Sequence, residues 1–319
     1  MFYTFPVIAI TGGAGYVGTA LVDWLNSSGI SCKIIDNFWF GNPFLETNMN
    51  CIIKKDVREI TELDLSDCQI VIHLASIAND PSVDLNPMLS WEIGTLGTRN
   101  VCESALKAGA QRIILASSGS VYGVRGENKV TEEISLTPIS VYNKVKMIKE
   151  RIALSYGDQM SVTVLRPATI CGKSRTMRLD LAVNALTYSA VKFGRMYLDG
   201  GDQIRPQLHI DDMVQVYRFF IENNLPGIYN VGFENITLRE ISERIRRLTG
   251  AAVVDSGQKD SRSYRLNSDK LLNRGFIPIK NLDVGISELI DLFRSDFVQD
   301  DSQYRINWLK QREQLNDVS

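Results

Sequence analysis

The strongest constraint in this sequence is one short segment, Thr11-Gly12-Gly13-Ala14-Gly15-Tyr16-Val17-Gly18. It follows the apolar, β-rich run Val7-Ile8-Ala9-Ile10. It opens a helical pattern over residues 17–26, with Val17, Ala20, Leu21 and Leu25 on one face. Gly12, Gly15 and Gly18 give the spacing G-x-x-G-x-x-G. The first glycine permits a tight turn, the second lets backbone N–H groups approach a pyrophosphate, and the third lets helix and strand pack closely. The helix then presents its partially positive N-terminus to the phosphates. Asp36 ends the next β-rich run. A carboxylate there accepts hydrogen bonds from an adenosine ribose diol and repels a 2′-phosphate, so NAD rather than NADP is expected.

The first half continues in the same rhythm. Residues 32–35, 51–53, 70–74, 112–115 and 162–165 are short apolar runs, and residues 86–108 and 139–156 read as helices. Continuous apolar runs are strands covered on both faces, and alternation with helices means right-handed crossovers. The expected fold is therefore α/β, a Rossmann-type doubly wound parallel sheet. After Gly172 the pattern becomes irregular. Helical stretches at 181–193, 212–223, 236–249 and 281–293 and a polar loop at 199–206 suggest a smaller domain woven into the first.

Composition removes other classes. The net charge of −2 offers no basic field to nucleic acid or an anionic membrane. No run of about 18 apolar residues occurs, and residues 1–10 lack a basic leader region, so neither a membrane span nor a secretory signal is expected. Cys32, Cys51, Cys68, Cys102 and Cys171 are odd in number and scattered, which suits reduced thiols in a cytoplasmic protein. The two histidines, His73 and His209, cannot build a His-rich metal site, so no metal is expected.

Further motifs are Asp36-Asn37, Asp56-Val57, His73-Leu74-Ala75-Ser76, Ser117-Ser118-Gly119-Ser120-Val121-Tyr122-Gly123, Tyr142-Asn143-Lys144-Val145-Lys146, Arg166-Pro167 and His209-Ile210-Asp211-Asp212. With the glycine segment, they make the chain resemble the extended short-chain dehydrogenases/reductases, in the NAD-dependent sugar-nucleotide epimerase/dehydratase branch, over about residues 7–293. The resemblance implies that Tyr16, Val17 and Asn37 border the cofactor. It implies also that Asp56-Val57 meets the adenine and that the loop Leu74-Ala75-Ser76 passes the diphosphate. It implies an NAD-binding domain of residues 1–173, to which 207–233 return. A substrate domain of 174–206 and 234–319 would complete the chain, with a nucleotide diphosphate sugar between the two. A homodimer paired through the helices at 86–108 and 139–156 is implied as well.

Tyr-x-x-x-Lys places Tyr142 and Lys146 one helical turn apart. An ammonium near a phenol favours the phenolate, which can accept a proton from a sugar hydroxyl, while Ser118 holds the same oxygen. Lys146 would also hold the nicotinamide ribose. Tyr188 and Lys192 share the spacing but have no serine-rich strand end before them. The Tyr/Lys/Ser group serves a 4-epimerase, a C4 dehydrogenase or a 4-keto-sugar reductase alike. A silent dinucleotide-binding sensor is the alternative of a different class.

Two departures matter. Related 4,6-dehydratases place Asp-Glu where this chain has Gly119-Ser120, so the acid/base pair for eliminating water is missing. Gly94 stands where the family commonly has Asn. On the substrate side, the resemblance carries Asn184 and Arg205 onto nucleotide-sugar contacts. Arg262, Arg178 and Ser120 are further candidates, since guanidinium forks suit a diphosphate. His209 and His73 are expected to be structural, and Cys171 a small buried thiol.

Overall fold

The computed structural model of the protein describes residues 7–44, 51–255, 257, 263–295, 297–305, 307 and 310. Its first half runs β1 (Ile8–Thr11), α1 (Tyr16–Ser27), β2 (Cys32–Asp36), β3 (Cys51–Lys54), β4 (Ile70–His73), α2 (Asp80–Leu85) and α3 (Pro87–Trp91). A π-helical turn at Glu92–Leu96 leads into α4 (Gly97–Lys107), followed by β5 (Arg112–Ala116), α5 (Val141–Leu154) and β6 (Ser161–Pro167). The second half comprises β7 (Thr169–Cys171), α6 (Ala182–Phe193), β8 (Arg195–Leu198), β9 (Ile204–His209), α7 (Ile210–Glu222) and β10 (Gly227–Val231). It ends with β11 (Glu234–Thr237), α8 (Leu238–Thr249), β12 (Ala252–Asp255), α9 (Asp269–Leu272) and α10 (Leu282–Arg294).

Seven strands form the main sheet in the order β10-β6-β5-β4-β1-β2-β3. Every neighbouring pair is parallel, with Ile8 opposite both Cys32 and Ile70. This is the doubly wound arrangement expected from the apolar runs. All four residues of β1 are buried, Ile8 and Ile10 in one core and Ala9 in the other. Alternate strand residues point to opposite faces, so a strand covered on both sides is apolar throughout. The winding reverses between β1 and β4. In such sheets a crevice opens there at the carboxyl ends of the strands.

A three-stranded sheet, β11-β9-β7, and a two-stranded pair, β12-β8, lie outside this sheet. A third core gathers α6, α8 and α10 around Val183, Ile241, Ile245, Leu289 and Phe293. The chain returns from β9 through α7 to β10 at the edge of the main sheet, so its two parts are interwoven.

The helix expected over 86–108 runs without interruption from Pro87 to Lys107, with a π-helical turn inside it. Asn86 caps α3, with its side chain accepting from Leu89 N, and Pro87 supplies the first turn. The π-helical turn then shifts the hydrogen-bond register before α4. The loop expected at 199–206 runs into β9, which together with β7, β8, β11 and β12 carries no strong alternation in sequence.

Candidate active site

A cleft of about 410 Å³ occupies the crevice at the strand ends. At one end lies the glycine turn. Gly12 has φ +74°, and a Cβ there would stand 2.6 Å from Ala75 N, so the turn fits tightly under the loop after β4. A Cβ on Gly18 would stand 2.6 Å from the carbonyl oxygens of Gly12 and Gly13. Helix α1 begins at Gly15 without a side-chain cap and without an acid in its first turn. Its opening N–H groups are therefore available to an anion.

Asp36 borders this end of the cleft. Its carboxylate accepts from Ala14 N at 3.0 Å and from Phe38 N at 2.8 Å. Burial pushes its pKa above the ordinary range, and those two bonds offset part of that. Gly15, Tyr16, Val17, Asn37, Asp56, Leu74, Ala75 and Ser76 line the same cleft. Val57 also borders it but is buried against Gly97. Tyr16 turns its hydroxyl away, donating to Gly172 O at 2.7 Å. The uncapped helix start and the ribose-facing acid suit a dinucleotide without a 2′-phosphate.

The far end is built on β5 and α5. Ser140 caps α5, accepting from Asn143 N at 3.2 Å, and so sets Tyr142 in the first turn. Tyr142 lines the cleft, and the Lys146 ammonium lies 5.7 Å from its ring centroid. Ser118 hydrogen-bonds the Tyr142 hydroxyl and lies 2.8 Å from the Ser120 hydroxyl. Behind Ser118, Ser117 donates to Glu150, Glu150 pairs with Arg166 at 2.7 Å, and Arg166 meets the Tyr122 hydroxyl at 2.7 Å. That buried, fully paired network fixes the serine-bearing strand end.

The electrostatics differ from the simple expectation. Burial pushes the Tyr142 pKa above its ordinary value. The Ser118 bond and then the Arg178 charge pull it back. Lys146 is itself drawn down to about 8, first by burial, with Glu150 opposing and Arg178 adding to the fall. Its Nζ donates to Ala116 O at 3.3 Å. The cation acting on the phenol is thus Arg178 of the following loop.

The substrate-side expectations divide. Ser120, Arg178 and Arg205 line the cleft. Arg178 is held by Asp180 at 2.9 Å and donates to Ala78 O at 3.0 Å. Asn184 is fully buried and away from the cleft lining. Its Oδ1 accepts from Gly172 N at 3.1 Å, and its Nδ2 donates to Arg178 O at 2.9 Å and Tyr16 Oη at 3.3 Å. Its bonding capacity serves the loop, leaving no group turned to a ligand. Arg262 lies outside the described residues. Tyr188 donates to Gln299 at 2.5 Å and meets the Phe293 ring edge-on, apart from the cleft.

Cys171 is buried, with its thiol pushed up to about 12 by burial. His73 is buried between Thr11 and Thr98, at 2.6 and 3.0 Å. His209 lies 3.2 Å from Glu288 on α10 and joins the strand to that helix. His209, Asp211 and Glu288 come together, but the Lys280 ammonium already stands 2.6 Å from Asp211 and 2.5 Å from Glu288.

Several cleft residues were not singled out by sequence reasoning. Asn79 has φ 139° and donates to Asp180 at 2.5 Å, tying the cofactor-side loop to the Arg178 loop. Asn143 lines the cleft with a buried Oδ1 that has no partner among the described residues. Arg305 reaches the cleft from the C-terminal segment.

The profile of the NAD dependent epimerase/dehydratase family matches residues 8–232. The chain belongs to that family. Among its relatives is UDP-glucuronic acid decarboxylase 1 of Xenopus tropicalis, 27% identical over 93% of this chain and 74% of the relative. Another is a putative UDP-glucose 4-epimerase of Methanocaldococcus jannaschii, 26% identical over 91% of this chain and 99% of the relative. Among solved structures, MoeE5 with UDP-glucuronic acid and NAD superposes with a TM-score of 0.83 at 25% identity, covering 91% of this chain and all of MoeE5. The family is NAD-dependent, and its members here act as sugar-nucleotide epimerases and decarboxylases. Among the described residues no helix is long and apolar enough to cross a membrane.

Proposed function

We propose that this enzyme oxidises C4 of a nucleotide diphosphate sugar with NAD, and that it acts as a 4-epimerase or C4 dehydrogenase. One observation carries the reading: Ser118, Tyr142 and Lys146 converge at the strand end opposite the glycine turn. NAD bound along the cleft, from Asp36 to Tyr142, would supply the hydride acceptor. Tyr142 takes the proton of the substrate hydroxyl, and Ser118 fixes the oxygen between them. The positive nicotinamide ring adds to the Arg178 charge in drawing the phenol down. Gly119-Ser120 leaves no acid beside Ser118 for eliminating water.

Arg178 favours a second reading. Its guanidinium, held by Asp180, exerts its charge on the Tyr142 hydroxyl, and a cation there would suit a substrate carboxylate. A uronic acid oxidised at C4 becomes a β-keto acid and loses carbon dioxide. Mass spectrometry with UDP-, GDP-, CDP- and dTDP-hexoses and hexuronates in deuterated water, with NADH release monitored, separates these outcomes. An epimerase gives an isomer with NAD retained. A dehydrogenase releases NADH. A decarboxylase product is lighter by carbon dioxide. No turnover of any of these sugars would remove the reading.

Residues 1–173 with 207–233 then form the cofactor unit, and 174–206 with 234–319 the substrate unit, Arg178 and Arg205 being the contacts assigned to the sugar nucleotide. Exposed Met88 and Leu96, beside α4, support pairing of two copies across that helix region. Light scattering at the mass of a dimer tests it, and a monomer overturns it.

A further inference from the structure

The C-terminal segment after α10 lies outside the motifs that define this site, yet it is fastened to the molecule. Phe297 packs against Phe293 with ring centroids 5.0 Å apart, Tyr188 donates to Gln299, and Leu179 N donates to Gln303 O at 2.9 Å. This course brings Arg305 into the cleft, only 5% exposed. Its guanidinium carbon stands 3.8 Å from the centroid of Phe40, in the loop after β2. Its Nη1 donates to Ser302 O at 2.7 Å.

A buried arginine normally has a carboxylate partner. Among the described residues, Arg305 forms no ion pair. Asp36 and Asp180 act on it only through their fields, and Arg178 repels it. Burial first, and Arg178 second, draw its pKa down to about 9. The guanidinium is under-compensated by the polypeptide and held in place by the Phe40 ring.

Position decides what would compensate it. An extended dinucleotide places its adenosine ribose at Asp36 and its nicotinamide at Tyr142, so its diphosphate lies between them, over the start of α1. Arg305 borders that same cleft and feels the charges of both Asp36 and Asp180. We propose that Arg305 is a cofactor-binding residue, carried by the C-terminal segment across the dinucleotide site to hold the diphosphate. A guanidinium fork meets phosphate oxygens with charge-assisted bonds, which α1 complements from the other side with backbone N–H groups. The proposal rests on the cleft being the NAD site.

The test compares Arg305→Met, which keeps packing on Phe40 but removes the charge, with Arg305→Lys and the unaltered protein. Two quantities are read: NAD released on acid denaturation of the purified protein, and calorimetric affinity for NAD, ADP-ribose and adenosine. Arg305→Met should lose about ten- to hundredfold in affinity for NAD and ADP-ribose. Adenosine binding should stay unchanged, and Arg305→Lys should fall between the two proteins. Unchanged NAD affinity in both variants overturns the proposal, as does an equal loss for adenosine. If the unaltered protein binds neither NAD nor ADP-ribose, the dinucleotide reading itself fails.

Discussion

The side chain of Val145 stands where a β-carbon on Gly94 would have to go. The two residues belong to α5 and to the π-helical turn that precedes α4. The Asn expected from the family resemblance is therefore replaced by closer packing of two helices. The Gly94 carbonyl accepts from the Thr98 hydroxyl at 2.6 Å, which in turn meets His73, and His73 meets Thr11. A polar chain thus runs beneath the cofactor loop without the Asn side chain.

Substitution at Gly94 tests this packing. Alanine should gain about 1 kcal/mol in helical propensity, yet overpacking against Val145 costs about 1–3 kcal/mol, so Gly94→Ala should be destabilised. Val145→Ala in the same chain should relieve most of that loss. Urea midpoints of the two single variants and the double variant measure the coupling. A Gly94→Ala protein as stable as the parent contradicts it.

Lys149 sits one turn beyond Val145, fully buried, and donates to Ala75 O at 2.8 Å. Burial, then the Lys146 charge, holds its pKa well below the ordinary lysine range. Between its depressed folded-state pKa and the unfolded value of about 10.4 the folded state therefore binds fewer protons than the unfolded chain, and stability should rise with pH through that window. Lys149→Met should remove up to one proton from this dependence, about 1.4 kcal/mol per pH unit at most. Denaturant melts of both proteins at pH 7.5 and 9.5 give the difference, and parallel slopes rule out a neutral native Lys149.

Tyr142→Phe should lower turnover by about 10²- to 10⁴-fold, the usual range for a positioned base. NAD content of the purified protein should stay near that of the parent, which separates lost chemistry from lost cofactor. In the active protein the rate should rise as Tyr142 deprotonates. Ser118 and Arg178 both lower that pKa. Ser118→Ala and Arg178→Leu should therefore each move the rising limb of the pH–rate profile to higher pH. A limb that stays in place denies Tyr142 the role of base.

Asp36→Asn addresses cofactor choice. The amide keeps an acceptor for Ala14 N or Phe38 N but loses the negative charge. Affinity for NAD should fall, and the ratio of NADP to NAD affinity should rise roughly tenfold or more, because the repulsion of a 2′-phosphate is gone. Calorimetry with both nucleotides measures the ratio, and an unchanged ratio places NADP discrimination elsewhere.

Much of the first half was legible because its signals are local. Apolar runs four or five residues long announced the strands, and Gly12, Gly15 and Gly18 announced the turn between β1 and α1. Ser118, Tyr142 and Lys146 were singled out by context, a serine-rich strand end followed by a helix, and the structure places them near one another. That Asn184 braces the loop after β7 was not legible, because no spacing reveals such contacts. The π-helical turn at Gly94 was not legible for a related reason: Val145, which packs against it, comes from another helix.

The sequence by itself determined the parallel sheet, the glycine turn between β1 and α1 and the acid at the end of β2. Each depends on residues close together in the chain, where periodicity and backbone sterics act directly. Only the tertiary structure decided which charges surround Tyr142, that Asn184 is internal, and that Arg305 enters the cofactor cleft. Those depend on contacts between distant segments. Burial and field strength there are set by packing, and no local pattern encodes them.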